Sequence, residues 1–149
     1  MTRRNAPSRR RTSALAASVA RSPCATRILV DGLLNDFVTL SQREKERLAS
    51  TFPPFDGIDL ALATHDHYDH VTPHVIIDYL AHSPSTLFAS LVETVDLLRD
   101  VPGRAAVSDR ILGIPNAGVT AEPSIPGARV TAFPVRHSGV GDNLAFLVT

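Results

Sequence analysis

A single cysteine, Cys24, stands in this chain of 149 residues, which excludes an intramolecular disulfide framework and a cysteine-rich zinc ribbon. Any metal centre must therefore rest on histidine and carboxylate. No apolar run reaches the roughly eighteen residues that a membrane-spanning helix needs, so no transmembrane segment is expected. Acids are absent from residues 1–30, where Arg3, Arg4, Arg9, Arg10, Arg11, Arg21 and Arg27 give a local charge of +7. The other residues set fifteen acids against eight basic groups, so a body of −7 lies beneath a formal net charge of zero. An acidic body repels a nucleic-acid backbone, which disfavours a nucleic-acid enzyme. With 44% hydrophobic and 20% charged residues the chain fits one domain, long enough to bury roughly two-thirds of its unfolded surface without a metal or disulfide to staple it.

Residues 1–25 are rich in Arg, Ser and Ala and poor in large apolar side chains, so they have little with which to offset the entropy of ordering. They read as a disordered or weakly helical basic segment, or as a targeting peptide. Three functional readings compete with that of a plain extension: an export signal, an organellar presequence and a basic nucleic-acid tail. The export reading rests on Ala14 to Ala20, where only Leu15 and Val19 have any size. A cytoplasmic location is the default, with export or an organellar presequence as alternatives.

From residue 26 onward, strand and helix signals alternate. Arg27 to Asp31 (RILVD) reads as a strand delivering Asp31 to a turn at Gly32. Ser41 and Glu44 have capping-box spacing for a helix to about Ser50, ended by the Pro53-Pro54 and Gly57 stretch. Ile58 to Thr64 (IDLALAT) is a strand apolar enough to be covered on both faces. Thr72-Pro73 starts a helix that presents Val75, Ile76, Tyr79 and Leu80 on one side. Thr86 to Ser90, Ala128 to Arg136 and Asn143 to Thr149 read as strands, and Val92 to Asp100 as a helix. That order argues for an α/β or layered α+β domain over residues 26–149. There is no internal repeat.

The chemistry is concentrated in Thr64-His65-Asp66-His67-Tyr68-Asp69-His70. Alternate side chains of an extended segment point the same way, so His65 and His67 can offer imidazoles to one ion. The turn that follows can swing Asp69 and His70 toward a neighbouring position. Imidazole and carboxylate together suit zinc, manganese or iron. A further ligand must come from elsewhere, and His137, at the end of the Ala128 to Arg136 strand, qualifies. His74 and His82 fall outside the motif and read as ordinary surface or core histidines. The cluster itself cannot be core packing, since burying such groups unpaired costs several kcal/mol.

The string His65-x-His67-x-Asp69-His70, set after an apolar strand and accompanied by the turn Leu29-Val30-Asp31-Gly32, resembles the signature of the metallo-β-lactamase superfamily. The likeness is to its ascorbate-phosphate-lactonase-like branch of metal-dependent hydrolases, and covers residues 26–149. It implies an αββα sandwich with metals at one edge of the two sheets, of which this chain would carry the N-terminal half. By the same resemblance His65, His67 and His137 bind a first metal, Asp69 and His70 a second, and Asp31 steadies the motif from behind. One or two ions are implied, Zn2+ foremost, with Mn2+ or Fe2+ as alternatives.

Two departures qualify the resemblance. The family's first strand is replaced by the arginine-rich segment. The family's bridging Asp and final His fall beyond the third motif, and the sequence reaches Thr149 first. The chain is therefore expected to be a fragment, with Asp142 a turn residue rather than the bridging ligand. The resemblance implies hydrolysis by a metal-bound hydroxide, oriented by Asp69, on an ester, lactone or phosphoester-type small-molecule substrate. The rival expectation is a truncated, non-catalytic metal-binding or interaction remnant of the same fold. A third, nucleic-acid processing, predicts an inserted domain and a basic groove, and the sequence shows neither. In a fragment, the sheet around Ile58 to Thr64 and Ala128 to Thr149 would keep an uncovered apolar face, a route to self-association.

Overall fold

The computed structural model describes residues 18–21, 26–33, 40–116, 123–136 and 142–149. Its first sheet runs β1 (Ser18–Arg21), β2 (Arg27–Val30), β3 (Leu60–Leu62), β4 (Leu87–Leu91) and β5 (Ile111–Ile114) in spatial as in chain order. β2 to β5 are parallel, and β1 lies antiparallel on the edge against β2. The connections carry α1 (Gln42–Ala49), α2 (Pro73–His82), α3 (Val92–Asp96) and a 3-10 helix, Arg104–Arg110. A second, antiparallel sheet contains β6 (Ser124–Ile125), β7 (Ala128–Arg136) and β8 (Asp142–Val148). β6 and β7 meet in a two-residue turn whose second residue, Gly127, sits at φ 79, where a side chain would be strained.

Period-two alternation in the first sheet builds two cores. Leu29, Ala61 and Phe88 face the helices and pack with Leu48 of α1, Ile76, Ile77, Tyr79 and Leu80 of α2, and Val107. Their neighbours Ile28, Leu60, Leu62, Ala89, Leu91 and Ile114 face the second sheet and pack with Ile125, Val130, Ala132 and Leu144. Burial on both faces accounts for the continuous apolar run of β3. The described residues thus form an α/β arrangement of three layers: helices, a mostly parallel sheet, and an antiparallel sheet.

Local chemistry sets the helix starts. Ser41 Oγ accepts from the Glu44 amide at 3.3 Å while Glu44 Oε2 accepts from the Ser41 amide at 2.7 Å, closing the expected capping box. The Ser41 hydroxyl, donating to Glu44 Oε2 at 2.7 Å, and then the Ser41 amide hold the Glu44 carboxyl below its usual range. At α2, Thr72 occupies the N-cap and Pro73 the first position, but the Thr72 side chain makes no capping hydrogen bond.

Several expectations need correction. Within the segment read as disordered or weakly helical, Ser18–Arg21 form β1, which pairs antiparallel in register with all of β2. Strand Ile58 to Thr64 contracts to Leu60–Leu62, and Thr86 to Ser90 shifts to Leu87–Leu91. Helix Val92 to Asp100 stops at Asp96 because Leu98, Arg99 and Val101 bond three residues back, in tightening turns. Ile58 to Thr64 and Ala128 to Thr149 lie in two sheets with a core between them, not in one. Among the described residues, Phe133, Val135 and Leu147 are exposed on the outer face of the second sheet.

Candidate functional site

Both halves of the site sit just beyond the carboxyl ends of neighbouring parallel strands, the usual place for ligands in open α/β sheets. β2 ends at Val30, and Asp31 follows in the left-handed region at φ 50, a conformation aspartate tolerates better than most residues. Its amide donates to the Leu62 carbonyl at 2.9 Å. Its carboxylate accepts from Thr64, from the backbone N–H on Oδ1 at 2.8 Å and from the hydroxyl on Oδ2 at 3.0 Å. The Thr64 carbonyl in turn accepts from the Leu144 amide of β8 at 2.8 Å. The residue before the motif is thus clamped from both sheets.

The next residues turn the chain. His70 and Val71 amides both donate to the His67 carbonyl at 2.8 Å, a tight turn that folds His70 back over His65. The ring centroids of His65 and His70 are 4.0 Å apart, those of His65 and His67 4.4 Å. Nε2 of His65 lies 3.0 Å from Nδ1 of His67, and Nδ1 of His65 lies 2.8 Å from the Thr64 hydroxyl. His70 Nδ1 comes within 3.1 Å of Asp31 Oδ2, but outside hydrogen-bonding geometry, so this buried nitrogen has no hydrogen-bond partner among the described residues. Its Nε2 is 3.7 Å from Asp69 Oδ2.

The donor set fits a divalent cation. His65, Asp69 and His70 each offer a ligand atom within 4.8 Å of the others, and His67 lies beside His65, outside that trio. Burial, aided by the neighbouring His70 and His67, pushes the His65 imidazole below the usual histidine range, so near neutral pH it keeps the lone pair a metal needs. Of the residues singled out by sequence, the structure brings Asp31, His65, His67, Asp69 and His70 together. His137 lies outside the described residues. His74 is exposed at the start of α2, and His82, at its end, pairs with the Asp78 carbonyl at 2.8 Å. Sequence reasoning assigned no role to Thr64; its hydroxyl, one residue before the first histidine, was the available signal.

Residues 26–149 match the family described as a beta-lactamase superfamily domain. Among solved structures, a diphosphatase from the PhnP family is similar with a TM-score of 0.50 and 16% identity, over 83% of this chain and 45% of its own. The chain thus spans less than half the length of that structure. No curated protein sequence matches the chain. No described helix is long and apolar enough to cross a membrane.

Proposed function

Because the chain belongs to the beta-lactamase superfamily, and because its histidine cluster crowns the end of β3, we propose that it carries the metal centre of a metal-dependent hydrolase. The observation that carries this reading is the convergence of His65, Asp69 and His70 within 4.8 Å, with His67 Nδ1 3.0 Å from His65 Nε2. Nitrogen and carboxylate donors without thiolate favour zinc, with manganese or iron(II) as alternatives. We assign His65, His67, Asp69 and His70 as ligands, His137 as a further one, and Asp31 as the residue that steadies them. A bound ion of this kind supplies a water of lowered pKa and a positive charge facing the developing oxyanion.

The chain's own groups do the rest. His65, buried and neutral, holds its position through Thr64. Asp69, with its side chain 39% exposed, reaches solvent, and in this reading it orients the attacking water. The substrate is a small molecule with an ester, lactone or phosphoester bond. The diphosphatase of like fold supports including diphosphates in the assay.

The test is zinc titration together with metal-dependent turnover of an ester, lactone, phosphodiester and diphosphate panel. Purified protein is expected to bind zinc, His65→Ala and His67→Ala to abolish binding, and His82→Ala to leave it unchanged. Equal losses in all three variants would refute the ligand assignment, and no metal-dependent turnover of any substrate would refute the hydrolase reading.

A further inference from the structure

The contacts behind the cluster have a direction. An ionised carboxylate has no proton to give, so Asp31 only accepts. The Thr64 hydroxyl, 3.0 Å from Asp31 Oδ2, therefore donates its single proton there. That leaves its oxygen lone pairs for the other close neighbour, Nδ1 of His65 at 2.8 Å. Two lone pairs facing each other at that distance would repel, so the His65 proton belongs on Nδ1. A neutral imidazole carries one proton, and Nε2 is then left as the acceptor. It faces Nδ1 of His67 at 3.0 Å. The hydrogen bonds thus run one way, from His67 through His65 and Thr64 to the carboxylate, and successive bonds in such a chain polarise one another.

We infer that Thr64 is a positioning residue: its hydroxyl relays the Asp31 carboxylate to His65 and fixes that histidine as the Nδ1–H tautomer, with the Nε2 lone pair turned into the cluster. Backbone anchoring adds rigidity. The Thr64 amide is held by Asp31 and its carbonyl by Leu144, so the hydroxyl has little freedom to turn away. The purpose of the relay rests on the metal reading above, but its existence does not.

The experiment is done on the whole chain, metal-free and isotope-labelled, at a pH where His65 is neutral. Ring-nitrogen NMR shifts report which nitrogen of His65 bears the proton, and a zinc titration follows on the same samples. Wild type is expected to show the Nδ1–H pattern. Thr64→Val, which keeps the shape and loses the hydroxyl, is expected to give mixed tautomers and about 10–100-fold weaker zinc binding. Thr64→Ser is expected to restore both. A wild-type His65 protonated on Nε2 would overturn the inference even if Thr64→Val fails to fold, and so would a Thr64→Val protein that keeps the Nδ1–H pattern. A wild type that shows this pattern but binds no zinc would sustain the relay and refute the metal reading.

Discussion

Replacing Asp31 with Asn tests the polarity of the site while changing little else. Asparagine tolerates the left-handed backbone at φ 50 and has the same shape. It turns one acceptor oxygen into a donor amide. If the remaining oxygen keeps the Thr64 N–H, the new NH2 points at the Thr64 hydroxyl, which must then accept and pass its own proton toward His65. Nδ1 of His65 becomes the acceptor, and the imidazole proton moves to Nε2, where a metal would need the lone pair. Two charge-assisted hydrogen bonds, at 2.8 and 3.0 Å, become neutral ones. A hydrogen bond to a charged group contributes about 1.5–3 kcal/mol and a neutral one about 0.5–1.5 kcal/mol. After allowance for the carboxylate's 23% exposure, the expected loss is about 1–2 kcal/mol, or roughly 3–6 °C in Tm for a domain of this size. The larger effect falls on the metal, since altering a group that orients a ligating histidine weakens binding by about 10–100-fold. Thermal melts of the metal-free protein and zinc calorimetry read the two effects separately. Unchanged zinc affinity, whatever the melt shows, would mean that Asp31 braces the loop without setting the histidine's proton.

Acidification should destabilise the metal-free protein. Burial depresses the folded-state value of His65 below its ordinary 6.5, so the unfolded chain binds more protons; the stability is complete above that value and is lost as pH falls toward the folded-state one. Tm measured from about pH 8 to pH 5 is expected to be flat and then decline, with a flatter profile in His65→Gln; a Tm that rises on acidification would contradict this. Leu62→Ala, at a site 2% exposed between the sheets, is expected to lose about 2–5 kcal/mol in chemical denaturation, and a loss below about 1 kcal/mol would mean that the sheets are not packed there. The outer face of β7 and β8, with Phe133, Val135 and Leu147 exposed, should drive self-association. Phe133→Gln with Leu147→Gln should lower the apparent mass by size exclusion, and a parent chain that stays monomeric at high concentration would refute that role for the face.

What could be read from sequence was what is local. The capping box of α1, the Pro73 start of α2 and the β7 span all appear as expected because a few adjacent residues carry each signal. β1, β5 and β6 went unread for the opposite reason. Ser-Val-Ala-Arg and Ile-Leu-Gly-Ile have weak patterns of their own, and their strand state comes from pairing with β2 and β4, partners outside the strands' own residues. The site divides in the same way. Four of its histidine and aspartate groups lie between His65 and His70, so spacing alone exposed them. The role of Thr64 depends on a hydroxyl meeting a carboxylate 33 residues earlier, and no window along the chain contains both.

The same contacts tie the chemistry to the architecture. Thr64 is where three parts of the molecule meet: the turn after β2 through Asp31, the end of β3 through the chain itself, and the second sheet through the Leu144 amide. One residue earlier, the Ala63 carbonyl accepts from Ser90 Oγ of β4 at 2.9 Å. The Thr64 N–H and carbonyl and the Ala63 carbonyl are therefore satisfied by neighbouring segments of the two sheets, and loss of sheet packing would leave them unpaired at a cost of about 1–3 kcal/mol each. The loop of His65 to His70 is held at its root by the docking of the two sheets, which makes the geometry of the cluster a property of the sandwich and not of the loop alone. A ligand that bound His65 and His70 only in their folded arrangement would in turn stabilise that docking, because binding to the native state alone adds to folding free energy.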